Sequence, residues 1–293
     1  MKTLNRIKNY AVLLSLIIVI GVVSGDITVL QVFVNDVTPF ITDIKATDPI
    51  ILLENSTVIA YCNATVVDYN GYQDIKSVKA ILWNPNTTYS NSTVEDRNNF
   101  YINSNCNITA GLGTSATVYC PFTIYYYAEP SEWVCRLNVT DFAGLWNTSN
   151  KTDITLQVLK GVRTPNLIDY STSTGSTAIA PGETSTQDVI GTIYNTGNVV
   201  IDLQVQGTST MNCTIGFIPV YYNRYNTTAN MSYSSMCSLT TSLSDTCYEL
   251  NQNFDLNKTT TETPTSKNTY WKIYVPTTGI SGTCSGEMVF MAI

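Results

Sequence analysis

Histidine is absent from this chain of 293 residues, and only 13% of its residues carry a charge. The first absence removes two kinds of nucleophilic catalysis, because a Ser-His-Asp triad and a Cys-His pair both need an imidazole to take up the proton. It also empties the usual metal sites of their commonest ligand. No short Cys-x-x-Cys pair stands in its place, so the spacing expected of structural zinc is missing. Long amphipathic helical stretches are lacking as well. What remains is a succession of short β-branched and aromatic runs between Gly, Asn, Asp and Pro turns, which predicts an all-β chain. A carboxylate pair for glycoside hydrolysis has raw material in 22 Asp and Glu. These do not cluster with Trp and Tyr as a sugar cleft requires, so no catalytic residue is assigned and the chain is expected not to be an enzyme.

The longest apolar run, "YAVLLSLIIVIGVV", follows Lys2, Arg6 and Lys8 and ends in Val23-Ser24-Gly25, the layout of a secretory leader. It is short for a full membrane span of roughly 20 residues. Cleavage is expected before Asp26, making residues 1–25 a signal peptide. The alternative is an uncleaved signal anchor, in which case the leader is the point of membrane attachment. Removing it takes away three basic residues and no acidic one, which leaves 12 basic against 22 acidic residues and a formal charge of −10. Nucleic acid is thereby an improbable partner. Solubility must come largely from Thr, Ser, Asn and Tyr and from attached sugar, and the chain is expected to be secreted or held at the cell surface.

Eight cysteines fall four and four: Cys62, Cys106, Cys120 and Cys135, then Cys213, Cys237, Cys247 and Cys284. An even number in each half of a secreted chain predicts two closed disulfide sets, each with three connectivities open to it. Twelve Asn-x-Ser/Thr triplets offer glycosylation sites: Asn55, Asn63, Asn86, Asn91, Asn107, Asn138, Asn147, Asn150, Asn212, Asn226, Asn230 and Asn257. An Asn- and Thr-rich chain makes some of these by chance, but parity singles out a subset. Successive side chains of a strand point to opposite faces, and Cys62/Asn63, Cys106/Asn107, Cys135/Asn138 and Cys213/Asn212 are separated by odd numbers. Each pair can bury its sulfur while its amide faces water, as a glycan requires.

The best break in the chain is "LKGVRTPN", residues 159–166, where Gly161 and Pro165 interrupt pairing. It divides a first β-sandwich, residues 39–160, from a second, residues 161–293, with residues 26–38 left as an extra N-terminal strand. In the first, "STVIAYCNATVVDYNG" alternates through Val58, Ala60, Cys62, Ala64 and Val66, and "EWVCRLNVTDFAG" through Trp133, Cys135, Leu137 and Val139. Two inward cysteines on early and late strands, about seventy residues apart, resemble the immunoglobulin-like arrangement in which a bridge ties the two sheets. The resemblance covers residues 39–159 and implies Cys62 to Cys135 with Cys106 to Cys120 nested inside. It departs from antibody domains in lacking a well-placed Trp between the cysteines; Trp83 in "KAILWNP" is the candidate.

The second sandwich opens with "APGETSTQDVIGTIYNTGNVVIDLQVQGT", read as a strand, an Asn-Thr-Gly-Asn turn and a second strand of one hairpin. Near its end lies "YWKIYVPTTGISGTCSGEMVFMA". These segments resemble the "PGE…N-x-G-N" and "VP…SGTYSG" patterns of β-sandwich modules repeated in archaeal secreted and surface proteins, with Cys284 where an aromatic is usual. That resemblance implies a scaffold or adhesive role, and the density of sequons suits an archaeal or eukaryotic secretory route. The fold class is therefore all-β, two tandem immunoglobulin-like β-sandwich domains after a signal peptide or signal anchor. Cys237 and Cys247 flank "SLTTSLSD", an easily closed loop, so they are expected to pair and to leave Cys213 for Cys284.

One cluster offers metal chemistry. "DYNGYQDI" carries Asp68, Asn70 and Asp74, and "VTDFAG" carries Asp141. Hard oxygen ligands at this spacing are what calcium requires, and in an immunoglobulin-like sandwich the two loops lie at the same end. Asp and Asn before Gly are equally ordinary turn formers. No other cofactor is predicted. The tyrosines of "TIYYYAEP" and "VYYNRY" suit carbohydrate or protein contact as well as plain strand formation.

These features predict a non-catalytic extracytoplasmic glycoprotein, structural or adhesive at the cell surface, meeting a cell-surface protein or carbohydrate. One alternative is a carbohydrate-binding or accessory module of an extracellular enzyme. Another, by self-association, is the subunit of a surface filament. The last rests on "DITVLQVFV", apolar on both faces and surplus to the first sandwich. It is expected to pair with a sandwich of its own chain, or else to enter a groove of the next subunit by strand addition.

Overall fold

The computed structural model describes residues 29–87, 94–109, 111–171, 178–243 and 253–293. The expected leader, the sequon at Asn91 and Cys247, with its expected bridge to Cys237, lie outside the described residues. The chain divides into Met1–Asp36 and a compact unit, Val37–Ile293. The described residues are all-β, with a few single-turn 3-10 segments and no α-helix.

Eight strands come first: β1 (Phe40–Ala46), β2 (Thr57–Val67), β3 (Ile75–Trp83), β4 (Phe100–Asn103), β5 (Asn107–Ile108), β6 (Ser115–Tyr125), β7 (Ser131–Asp141) and β8 (Trp146–Leu156). They form two antiparallel sheets, one ordered β1-β2-β6-β5 and the other β4-β3-β7-β8. The alternation along β2, β6 and β7 puts Ala60, Val66, Val118, Ile124, Leu137 and Val139 into one buried core between the sheets. Cys62 of β2 is bridged to Cys135 of β7, so this disulfide joins the two sheets through the middle of that core. Cys120, directly opposite Cys62 across the β2/β6 ladder, is bridged to Cys106. The core tryptophan is not Trp83, which ends β3 half-buried with the Arg136 guanidinium 5.1 Å from its ring centroid. Its place is taken by Trp133 of β7, fully buried, with the indole N–H donating to the Glu129 carbonyl at 2.9 Å. Parity explains the exchange: Trp83 is one step out of phase with the inward residues Ala80 and Leu82.

Ten strands follow: β9 (Val162–Arg163), β10 (Val189–Asn195), β11 (Leu203–Gly207), β12 (Thr210–Ile215), β13 (Phe217–Pro219), β14 (Asn223–Asn226), β15 (Cys237–Ser238), β16 (Ser266–Ile273), β17 (Ser281–Ser285) and β18 (Met288–Ala292). They make sheets ordered β15-β14-β16-β10-β9, β11-β18 and β13-β12-β17, which do not repeat the order of the first half. A second core gathers around Trp271, Tyr225, Ile193, Leu203 and Phe254. The Trp271 and Tyr225 rings lie 5.1 Å apart, and the Trp271 N–H donates to Thr269 Oγ1 at 2.8 Å, so the one polar atom of this large side chain is satisfied.

Two expectations change here, and the setting of one expected bridge is fixed. The "IYNTGNVV" segment does not close a hairpin: β10 pairs with β16 and β9, while β11 pairs with β18 in another sheet. Cys213 and Cys284 are bridged, but they sit opposite each other on neighbouring strands β12 and β17, so this bond staples one sheet and is only half-buried. The N-terminal segment is not a strand either. Residues 29–39 have no strand assignment, and Val29, Leu30, Val32, Phe33 and Val34 are 78–93% exposed. A segment apolar on both faces gains from pairing only where both are covered, and a sheet edge offers no such cover. The outer strand β1 is also broken by an irregular register between Thr42 and Lys45, with Asp43 at a positive φ of 49°, a device that blunts an edge.

Candidate functional site

The Asn-Thr-Gly-Asn turn, freed from hairpin duty, docks the second core onto the end of the first. Asn198 is buried, and its amide donates to the Ala128 and Gln157 carbonyls, both at 3.0 Å, while its Oδ1 accepts from the Leu159 N–H at 2.7 Å. The main chain runs alongside: Asn198 N–H donates to Leu159 O at 2.9 Å and Thr196 N–H to Gly161 O at 3.0 Å. Gly197 is required at this approach, since a Cβ there would lie 2.1 Å from the Leu159 carbonyl oxygen. Asn195 faces the other way, donating to Val199 O and Leu256 O at 2.7 and 2.9 Å. A second set of contacts flanks the turn. Lys258 pairs with Glu129 and donates to Asn98 Oδ1 at 3.0 Å, and Arg97 pairs with Glu262 at 2.5 Å. Tyr126 lies alongside, its hydroxyl pushed up to about 12 chiefly by burial. The segment that reads as a linker from its Gly and Pro is therefore a hydrogen-bonded junction.

At one end of the first core the inward rows of β2 and β7 each finish in an aspartate. Asp68 continues the row Cys62, Ala64, Val66, and Asp141 the row Cys135, Leu137, Val139; both carboxylates are fully buried. Each uses one oxygen to close its own turn. Asp68 Oδ1 accepts from the Asn70 N–H at 2.8 Å, and Asp141 Oδ1 accepts from the Leu145 N–H at 2.7 Å. The second oxygen of each is buried without a hydrogen-bond partner. Asn70 and Asp74 do not complete the four-residue calcium set. Asn70 Oδ1 accepts from the Val37 N–H at 2.8 Å, and no group of three or more His, Cys, Asp or Glu side chains fit to hold a metal occurs among the described residues. Asp74 contributes its main chain instead, its carbonyl accepting from the Phe142 N–H at 3.0 Å and so tying the loop after β2 to the end of β7.

The sequons separate by burial. Asn55, Asn86, Asn107, Asn150, Asn212, Asn230 and Asn257 are exposed, Asn63 and Asn138 are half-buried on outward faces, and Asn147, in β8 opposite the inward Val139, is half-buried on the inward face. Asn226 is 3% exposed, with Oδ1 accepting from the Thr228 N–H, and has no room for a sugar. Asn226 and its neighbour Tyr225, on opposite faces, are both covered at the end of β14. Of the tyrosines proposed for contact, Tyr126, Tyr127 and Tyr225 are buried, and Tyr221 is exposed. The second half carries a groove of about 350 Å³ of mixed character, lined by Leu167, Ile168, Met211 and Leu239 together with Asn223 and Glu287.

No protein-family model matches the chain, and no curated protein does. Among solved structures, AggA, the major subunit of aggregative adherence fimbriae type I from Escherichia coli, aligns at 16% identity with a TM-score of 0.20, over 42% of this chain and 99% of its own. The C-terminal domain of the AgI/II polypeptide BspA from Streptococcus agalactiae aligns at 10% identity with a TM-score of 0.22, over 87% of this chain and 95% of its own. Superpositions this loose bear on neither topology nor role.

Proposed function

We propose that the chain is a non-catalytic glycoprotein of the cell exterior with a structural or adhesive role. The observation that supports this most is the architecture of residues 40–156. Sheets ordered β1-β2-β6-β5 and β4-β3-β7-β8, bridged from β2 to β7, follow the ABED and C′CFG strand order of immunoglobulin-like domains, including the B-to-F disulfide. Buried bridges belong to an oxidising compartment, where they form and persist, and the junction built on Asn198 holds one core against the other as a structural subunit requires. The sequons at exposed positions make glycosylation the chain's source of solubility in place of charge. Glycopeptide mapping of protein from its source cells tests this: sugar is expected at Asn55, Asn107, Asn150, Asn212 and Asn257, with Asn226 bare. An occupied Asn226, or a wholly unmodified chain in cells that glycosylate other surface proteins, would refute it.

The exposed segment from Val29 to Val34 supports a second reading, assembly into a filament by donation of this segment to the next copy. Five large apolar side chains standing in water are an aggregation hazard unless something covers them. Insertion head to tail does not close on itself and produces a fibre. Deleting residues 26–34 from the mature chain should convert assemblies seen by light scattering into monomers whose thermal transition is unchanged. Mature wild-type protein that stays monomeric at high concentration would count decisively against filaments.

A further inference from the structure

We propose that the Asp68 and Asp141 carboxylates share a divalent cation, calcium, at the end of the first β-sandwich. Each aspartate lies six residues beyond a bridged cysteine, Asp68 after Cys62 and Asp141 after Cys135, and each occupies the same inward row as its cysteine. β2 and β7 face each other across the core, held by that bridge with their Cα atoms 6.5 Å apart. Both strands run toward the same end, since the loop leaving Asp68 reaches the start of β3, where the Asp74 carbonyl takes the N–H of Phe142. Six residues along each of two facing strands therefore bring both aspartates to the same end of the core.

What distinguishes this pair from ordinary turn formers is the second oxygen. A turn consumes Oδ1 of each aspartate, and the neighbouring Oδ2 could remain in water at no cost if the residue were exposed. Here both Oδ2 atoms are buried and accept no hydrogen bond, and no ion pair of the described residues reaches either one. Beneath them are Val66 and Val139, which offer nothing polar. A buried carboxylate oxygen without a partner is disfavoured, and here there is one at the end of each of two facing strands. One cation relieves both penalties.

Calcium is the cation this arrangement suits. It accepts irregular sets of six to eight oxygens at 2.3–2.6 Å, filling places with main-chain carbonyls and water, whereas magnesium demands a near-ideal octahedron and sheds water reluctantly. With only two carboxylates the site belongs to the weak extracellular class, with Kd on the order of 10⁻⁴–10⁻³ M. Its consequence is mechanical. The cation would fasten the loop from Asp68 to Asp74 to the turn from Asp141 to Leu145. Asn70, within that loop, holds the Val37 N–H at the chain's entry to β1.

The test uses the whole mature chain, stripped with chelator and returned to calcium, to magnesium or to neither. Calcium at 10 mM is expected to raise the melting temperature by roughly 3–10 °C, with magnesium giving less than half of that. Asp68→Asn and Asp141→Asn keep an oxygen for the turn and should abolish the calcium response, while Asp153→Asn, at an exposed position of β8, should leave it intact. Hydrogen exchange on wild-type protein locates the effect without any variant: protection should rise at residues 69–74 and 142–145. A wild-type transition that calcium does not move overturns the proposal. So does a shift that survives both substitutions, or protection gained elsewhere. If instead the asparagine variants are more stable than wild type and neither responds to calcium, the pair is relieved by a shared proton or by water, and the proposal falls.

Discussion

Removing Cys62 and Cys135 together, as alanines, is expected to lower the stability of the first core by about 5 kcal/mol. Loop closure accounts for most of this. A bridge spanning 73 residues restricts the unfolded chain by about 4 kcal/mol in the chain-entropy model. The remainder, about 1 kcal/mol, is packing, because both sulfurs are fully buried between the sheets and alanine leaves a void there. The Cys213 to Cys284 bridge provides a control. It spans 71 residues, so the entropic contribution is the same, but it staples adjacent strands at a half-buried position and should cost only about 4 kcal/mol. Urea unfolding of the two double variants against wild type, with hydrogen exchange to assign each transition to a core, measures the difference. Equal losses would show that burial of the first bridge adds nothing beyond loop closure. Access also predicts the order of reduction: mild reductant with alkylation and mass spectrometry should open Cys213 to Cys284 in the native protein and leave Cys62 to Cys135 closed until the core unfolds.

Strand periodicity carried the sequence furthest where a strand is long and covered on one face. The rows through Ala60, Cys62, Ala64 and Val66 and through Trp133, Cys135, Leu137 and Val139 are buried in the structure, because eleven residues in regular alternation leave one register that hides the apolar set. Legibility failed where tertiary cover decided the outcome. Nothing local to Asn226 says that both faces of β14 are packed over. The "NTGN" stretch has the composition of a hairpin turn, but Asn198 finds better partners in the carbonyls of Ala128 and Gln157, 70 and 41 residues away. Trp133 stands in a row legible from the sequence, whereas Trp83, the candidate for the core, is one step out of phase with Ala80 and Leu82. The aspartates ending the inward rows were visible as turn formers. That their second oxygens are sealed off from water is a property of the two sheets closing above them, which spacing along the chain does not contain.

Asn198→Ala is expected to cost about 3 kcal/mol and to uncouple the two cores. The side chain is 1% exposed and makes three hydrogen bonds, every one to the main chain at the end of the first sandwich. Alanine leaves the Ala128 and Gln157 carbonyls and the Leu159 N–H without partners in a dry junction. Each orphaned group costs about 1–3 kcal/mol, with the carbonyls at the lower end and water entering the vacated space offsetting part of the loss. Asn198→Asp discriminates hydrogen bonding from mere filling of space, since it has nearly the same volume and keeps an acceptor for Leu159. It also turns a negative oxygen toward two carbonyls, so it should be at least as damaging as alanine. The neighbouring Gly197→Ala should act by contact alone, because its Cβ would meet the Leu159 carbonyl oxygen at 2.1 Å and the Gly161 nitrogen at 2.7 Å, both main-chain atoms that cannot swing aside. The readout is local: the Thr196 amide should lose its protection from exchange in all three variants and the Leu159 amide in Asn198→Ala, while β2, β7, β10 and β16 keep theirs until their own cores unfold. Small-angle scattering should broaden in step as the cores gain freedom. If Asn198→Ala costs under about 1 kcal/mol and those amides stay protected, the junction is held by Lys258, Arg97 and their carboxylate partners, and the turn is only a passenger on it.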